Sequence, residues 1–303
     1  MKPLRKLALS LTDGRGFDIL LVAVPLGFLL ALSGLPLLYN VLMSFQEVDM
    51  FSLGSVIRPF VGLANYKALF AEPETWPIFA NTAIFVTASI AGQFVIGFGL
   101  ALFFWVNFPG ASWLRGLFLI SWIMPGLVVG AVWNWMLSGD FGVINFLLRE
   151  AGLISRNIFW RSDPNFALWA VILANIWLGT SFNMILLSVG LSAIPEDLYE
   201  AAELDGANVW QRFVTITLPM MRSSIGAILS LGLIFTLQQF DLFAAITSGG
   251  PNNASNVAQY WAWDLSFKQY DFARGATISV IMILFVMLAS VIYVRSTRQE
   301  VRG

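Results

Sequence analysis

A chain of 303 residues that is 58% hydrophobic and only 12% charged is not an ordinary soluble domain, where about 25% of residues are charged. Its net charge of −1 supplies no basic face for nucleic acid. The absence of Cys and His removes disulfides, thiol nucleophiles, imidazole relays and the usual zinc ligand sets.

The mean hydropathy of +0.76 comes from long apolar runs, the mark of a polytopic membrane protein. Neither catalytic nor metal-ligating residues are expected. A phosphate-binding loop needs Gly-Lys-Ser/Thr, and Lys2, Lys6, Lys67 and Lys268 follow Met, Arg, Tyr and Phe. If nucleotide energy is used, ATP and Mg are bound by another chain, and this one carries no cofactor.

The N-terminal segment 1–16 (MKPLRKLALSLTDGRG) holds four positive charges. The apolar run behind it, Ile19 to Gln46, lacks charge for 28 residues, too long for a cleavable signal. A helix needs about 20 apolar residues to cross the hydrocarbon core. In chain order the spans read Ile19–Phe45, Ala80–Val106, Gly116–Leu137, Phe166–Ala193, Ser223–Phe240 and Gly275–Val294. Pro25, Pro36 and Pro125 fall inside spans, where neighbouring helices can satisfy the freed carbonyls. The fifth span is cut short by Asp241, with a continuation over Leu242–Ile246. The whole of 1–303 reads as one all-α transmembrane domain.

Six spans place both termini on one side, and the positive-inside rule makes that side the cytoplasm. Ten of the 17 Lys and Arg residues then lie inside, with Arg295, Arg298 and Arg302 in the tail adding to the N-terminal cluster. Outside, "FGVINFLLREAGL" (141–153) sets Phe141, Ile144, Leu147 and Leu148 at helical spacing opposite Arg149 and Glu150, an interfacial amphipathic helix. Segments 46–79 and 248–274 read as external loops with short helices. "TSGGPNN" (247–253) is a turn.

The link 195–222 is cytoplasmic by this topology, yet "PEDLYEAAELDG" supplies Glu196, Asp197, Glu200, Glu203 and Asp205 before any basic residue. Pro195 and the acids suit a helix start, with Glu196, Glu200 and Glu203 on one face and Leu198, Ala201 and Ala202 on the other. Gly206 ends the helix as a left-handed cap would. A second helix carries Val209, Trp210, Phe213 and Ile216 on one side and ends before Pro219. Such a pair is either tucked against the bundle or a docking element for a basic-rimmed groove.

Glu200-Ala201-Ala202, Gly206 after three residues, Ile216 after nine more and then Leu218-Pro219 resemble the EAA motif of ABC-importer permeases. "FDLFAAITSGGPNNAS" (240–255) looks like the segment after the fifth core helix of the MalF-like carbohydrate permeases. The likeness runs over essentially the whole chain in the same six-span order, without the extra N-terminal spans and large external insertion of the longest members. It implies the type I importer (MetI-like) fold. It assigns Glu200, Ala201, Ala202, Glu203, Asp205, Gly206, Ile216, Leu218 and Pro219 to ATPase coupling. The implied partners are a second, MalG-like permease, two ATPase subunits and an extracytoplasmic sugar-binding protein, in a bacterial or archaeal plasma (inner) membrane.

Polar residues inside spans are costly and are the default site candidates. Asn175, Gly179 and Phe182 recur at i, i+4 and i+7 in the fourth span, and Phe235, Thr236 and Gln239 at i, i+1 and i+4 in the fifth. Amides bond sugar hydroxyls as donor and acceptor, and aromatic rings stack on the sugar's C–H faces. By distance from Glu200 these six match the substrate-pathway positions of the resembled family. Their lack of charge points to a neutral oligosaccharide, with trehalose and maltose systems the nearest likeness. The bland reading is helix–helix glue. Trp122, Trp133, Trp135 and Asn134 read as an interfacial belt, and Asp241 as a span end. A glycerol-phosphate or other polyol permease competes within the family. An ion-coupled secondary transporter competes from outside it, although the spans hold almost no titratable groups.

Overall fold

The computed structural model describes residues 15–300 except 56 and 107, and side chains between 17 and 291. The N-terminal charge cluster and the tail arginines lie outside the described side chains. Among the described residues there is no strand, only one isolated bridge between Gln46 and Phe60.

The first span is α1 (Arg15–Leu29), a π-turn over Leu30–Gly34 and α2 (Leu35–Ser44). Its widened turn has a cause in the sequence. In an α-helix the ring of Pro36 would strike the carbonyl four residues back, on Leu32, and Leu32 is the middle residue of that turn. Helix α3 (Ala64–Ala71) precedes the 31-residue α4 (Thr75–Trp105). The sequence pattern starts this helix at Ala80. In the structure it begins five residues earlier, because Pro77 sits in the first turn, where its missing N–H has no helical partner to lose.

The third span corrects the reading of a single helix over Gly116–Leu137. Helices α5 (Ala111–Ile123) and α6 (Gly126–Met136) meet at 98°. Met124 is extended (ψ 137°), as a residue before proline tends to be, so Pro125 breaks the helix rather than bending it. After α7 (Val143–Glu150) comes the most deeply buried of the long helices, α8 (Ala167–Ser192). Only part of α7 reads as a membrane-surface helix. Ile144 and Leu148 pack into the core, while Phe141, Phe146 and Leu147 stay exposed.

Helices α4 and α8 run parallel: Gly92 abuts Ile176, Gln93 faces Gly179, and Gly97 abuts Asn183. Two parallel neighbours separated by α5–α6 require that broken pair to cross back, which makes it one span. Next come α9 (Glu196–Leu204) and α10 (Val209–Arg212), continued by a π-turn at Phe213–Thr217 into α11 (Leu218–Met220). Then follow α12 (Arg222–Leu237), α13 (Asp241–Ile246), α14 (Ala258–Phe267) and α15 (Phe272–Glu300). The fifth span therefore ends at Leu237 rather than Phe240, and the continuation over 241–246 is a separate helix.

Small residues set the closest approaches. A Cβ on Gly130 would lie 2.5 Å from Ala245 Cβ, and one on Gly126 would lie 2.5 Å from Asp241 Oδ2. The pair Gly126 and Gly130, four residues apart on α6, lets α13 pack in the small-xxx-small manner. Asp241 thus sits against the start of α6, half-buried. Behind them the core gathers Phe85, Val129, Val171, Ile172, Phe243 and Tyr260, with Phe85 and Phe243 edge-on at 4.8 Å.

One end of the bundle is pinned by long-range polar contacts. Arg274 pairs with Glu72, Asn253 donates to Glu74 at 2.5 Å, and Thr82 accepts from the Ala258 amide at 2.9 Å. Asn81 Nδ2 reaches the carbonyls of Asn253, Ala254 and Asn256 at 3.1–3.2 Å. The segment 247–256 is therefore more than a turn, being held against α4. Helix α14 is likewise no surface helix: Tyr260, Trp261 and Leu265 are buried beneath α15. The start of α4 lies at this end, so the 195–222 link lies at the opposite one.

Candidate functional site: a helical hairpin and an aromatic cluster

Residues 195–222 fold as a helical hairpin. Pro195 is extended (ψ 133°) ahead of α9, with Glu196 and Asp197 in the first turn, where negative charge meets free amide N–H groups. The helix closes in a Schellman pattern: Gly206 N–H reaches Glu203 O at 3.0 Å and Ala207 N–H reaches Ala202 O at 2.9 Å. Gly206 itself has φ +80°, which glycine adopts without penalty. Asn208 and Gln211 then form a reciprocal capping box at 2.8 and 2.9 Å that starts α10.

The second helix does not stop before Pro219. It runs on to Met220 through a π-turn whose middle residue is Thr215, four before Pro219. This is the same accommodation as at Pro36, and a bend of 67° at Met221 then leads into α12.

Apolar contacts tie the hairpin to the bundle, and polar ones join its two arms. Tyr199, Phe213, Ile216 and Leu218 pack against Phe98, Leu187, Leu191 and Met221. The Tyr199 hydroxyl shares a 2.9 Å hydrogen bond with Thr217, and Arg212 binds Glu203 at 3.0 Å. Tyr199 and Ala202 face inward, whereas Leu198 and Ala201 are exposed. The expected inner face of Leu198, Ala201 and Ala202 is therefore rotated by about one residue. Tyr199 was legible only as an aromatic at i, i+3 from Ala202.

The other side stands clear. Glu200, Glu203, Asp205, Gly206 and Pro219 are exposed, and Leu204 is 90%, Val209 75% and Trp210 70% exposed around the turn. Three large apolar side chains ringed by carboxylates at the tip of a rigid hairpin form a knob suited to a socket on another protein.

The polar stripes of α8 and α12 separate in the structure. Asn175 is buried, with its carbonyl accepting from Gln93 Nε2 at 2.9 Å and its own Nδ2 unpartnered. A Cβ on Gly179 would lie 2.3 Å from Gln93 Cδ. Gly179 therefore faces α4, and Asn175 meets that helix through its backbone carbonyl. Thr236 is buried, and Gln239 is half-buried with its carbonyl 3.4 Å from Gln259 Nε2.

Phe182 and Phe235 do converge, and Trp122 joins them rather than standing in an interfacial belt. Trp122 stacks on Phe182 at 4.5 Å with planes 23° apart. Phe235 stands edge-on to Phe182 at 5.3 Å and to Trp122 at 5.6 Å. Three rings from α5, α8 and α12 thus meet just before the Met124–Pro125 break. Trp122 and Phe235 are 37% and 43% exposed. Asn134 is structural: it donates to Ala245 O at 2.5 Å and accepts from Arg161 at 2.7 Å.

Residues 93–299 match the family described as binding-protein-dependent transport system inner membrane component. The chain is 32% identical to the trehalose/maltose transport system permease protein MalF of Thermococcus litoralis, over 80% of this chain and 81% of the relative. It is 33% identical to the sulfoquinovosyl glycerol transport system permease protein SmoG of Agrobacterium fabrum, over 80% and 78%. Among solved structures, a chain of a bacterial ABC transporter that imports the acidic polysaccharide alginate matches with TM-score 0.76. That match covers 97% of this chain and 99% of the other at 21% identity, a likeness of fold.

Proposed function

Since the chain belongs to the family of binding-protein-dependent transport system inner membrane components, we infer that it is the permease subunit of an ATP-driven sugar importer and forms half of the path for a neutral oligosaccharide. The observation that carries this is the hairpin at Glu196–Met220. Its inner side is anchored through Tyr199 and Phe213, and its acidic and apolar tip is presented to solvent. A lever of this kind transmits a push from a docked ATPase into α12, which continues it directly.

On this reading Glu200 to Gly206 and Ile216 to Pro219 couple to the ATPase, which binds ATP and Mg on its own chain. The hairpin end is cytoplasmic, as are both termini. A second permease completes the pathway. The Trp122–Phe182–Phe235 cluster is the preferred sugar-contacting surface, with Gln239 and Thr236 beside it on α12. Asn175 and Gly179 support it from behind.

The names of two relatives speak for carbohydrate cargo, one neutral and one bearing a sulfonated head. Uptake of radiolabelled maltose and trehalose by the reconstituted importer, challenged by glycerol phosphate and by a sulfonated sugar, tests the choice. Competition by neutral disaccharides alone is expected. Competition by the phosphate alone would move the assignment to the polyol class.

A further inference from the structure

Two clefts adjoin at the hairpin end of the bundle. The first, about 700 Å³, is lined by Phe104, Arg115, Ser188, Ser192, Glu196 and Tyr199 among others. The second, about 780 Å³, is lined by Leu102, Trp105, Val106, Leu191, Tyr199 and Phe213 among others. Trp105 and Tyr199 belong to both. One cleft is polar, its neighbour is apolar, and each has the size of a small-molecule site.

Their place in the fold is the edge of the membrane. Helix α4 ends at Trp105, α5 begins at Ala111 and α8 ends at Ser192, all around the polar cleft. Trp105 and Trp113, 43% and 74% exposed, stand nearby as aromatics do where hydrocarbon meets headgroups.

The polar cleft holds one cation and one anion, and neither is paired. Arg115 spends Nη2 on the Phe104 carbonyl at 2.7 Å and lies over that ring. Its Nε–H is buried away from solvent, so the cleft that Arg115 lines is met by the Nη1 edge of the guanidinium. Glu196, which also lines this cleft, is exposed, and among the described residues it forms no ion pair. A guanidinium matches a phosphate diester, and a lone carboxylate matches a primary ammonium. The two groups sit in one cleft whose apolar neighbour can take an acyl chain.

We propose that the paired clefts bind a phospholipid with an amine-bearing headgroup, such as phosphatidylethanolamine, its phosphate on Arg115, its ammonium on Glu196 and one acyl chain along Leu102, Leu191 and Phe213. The choice of the cytoplasmic leaflet rests on the topology given above; the binding site itself does not. The lipid bridges the end of α4 and Tyr199, the residue that anchors the hairpin.

The test is native mass spectrometry of the purified full-length chain in detergent. It is titrated separately with dioleoyl phosphatidylethanolamine, phosphatidylglycerol and phosphatidylcholine. The expected result is at least fivefold greater retention of phosphatidylethanolamine than of the other two. Arg115→Gln should lower it at least fivefold, and Arg115→Lys should keep most of it. Glu196→Gln should abolish the preference over phosphatidylglycerol while retaining both lipids. Equal retention of all three lipids by the parent chain overturns the proposal, as does unchanged retention in both Arg115→Gln and Glu196→Gln. Displacement of the lipid when the ATPase joins means that the clefts receive that protein instead, and overturns it too. Retention is read without transport, so its failure leaves the transport assignment standing.

Discussion

Arg212 binds the Glu203 carboxylate at 3.0 Å across the Gly206 turn, joining the two arms of the hairpin. The Glu203 side chain is 72% exposed, and pairs of that kind contribute about 0–1 kcal/mol. The turn itself matters more. Gly206 has open space where a Cβ would go, but its φ of +80° does not suit an L side chain. The penalty is about 1–2 kcal/mol, and less for Asn.

Co-purification of the ATPase with the permease should therefore fall in the order parent, Gly206→Asn, Gly206→Ala, Gly206→Val. Arg212→Ala should stay close to the parent. A Gly206→Val chain that retains the ATPase as well as the parent would show that hairpin shape is irrelevant to docking.

Tyr199 separates anchoring from docking. Tyr199→Phe removes one hydrogen bond, to Thr217, at a cost of about 1 kcal/mol. Tyr199→Ala also removes the packing against the cluster of Phe98, Leu187, Leu191 and Met221, at a cost below the roughly 3–5 kcal/mol of a fully buried Phe→Ala because Tyr199 is half-buried. Solute-stimulated ATP hydrolysis should survive the first and be largely lost in the second, with the ATPase still attached. Loss of attachment in Tyr199→Ala would mean that the residue docks rather than anchors.

The aromatic cluster and the buried Asn175 amide should answer mutation differently. Trp122→Ala and Phe235→Ala are expected to lower the uptake rate at least tenfold with the binding protein saturating, while thermal unfolding in detergent shifts little. Asn175→Ala is expected to leave uptake within about twofold and, by removing a buried amide whose Nδ2 has no partner, to be near neutral for stability. An uptake defect in Asn175→Ala larger than that in Trp122→Ala would return the pathway to the α8 stripe.

Gly130→Leu tests the broken third span. With Ala245 Cβ 2.5 Å from the added Cβ, overpacking should cost about 1–3 kcal/mol, seen as a lowered Tm of the detergent-solubilised chain. Gly99→Leu, on the same kind of helix but with nothing within 4 Å, is the control. Equal Tm values for the two would argue against the α6–α13 contact.

The sequence was most readable where one cue decides the outcome. Continuous apolar runs gave α4, α8 and α15, and the residues around Gly206 announced a left-handed cap that the backbone adopts. Partners were not readable. A stripe such as Asn175–Gly179 has the same spacing whether it faces a cavity or a glutamine on the next helix, and Gln93 lies 82 residues away. Trp122 had the composition of a membrane belt, and only the convergence of α5, α8 and α12 stacks it on Phe182. Prolines misled in both directions. Pro125 ended a helix expected to continue, because nothing relieved its clash, whereas Pro219 was absorbed by a π-turn that no residue pattern signals.

Charge reversal at Glu200, exposed in the first arm of the hairpin, bears most directly on the coupling role. Glu200→Lys should leave the amount of permease in the membrane unchanged, reduce ATPase co-purification at least tenfold and abolish solute-stimulated hydrolysis. Unchanged co-purification and hydrolysis in that variant would contradict the assignment of the hairpin as the ATPase-coupling element.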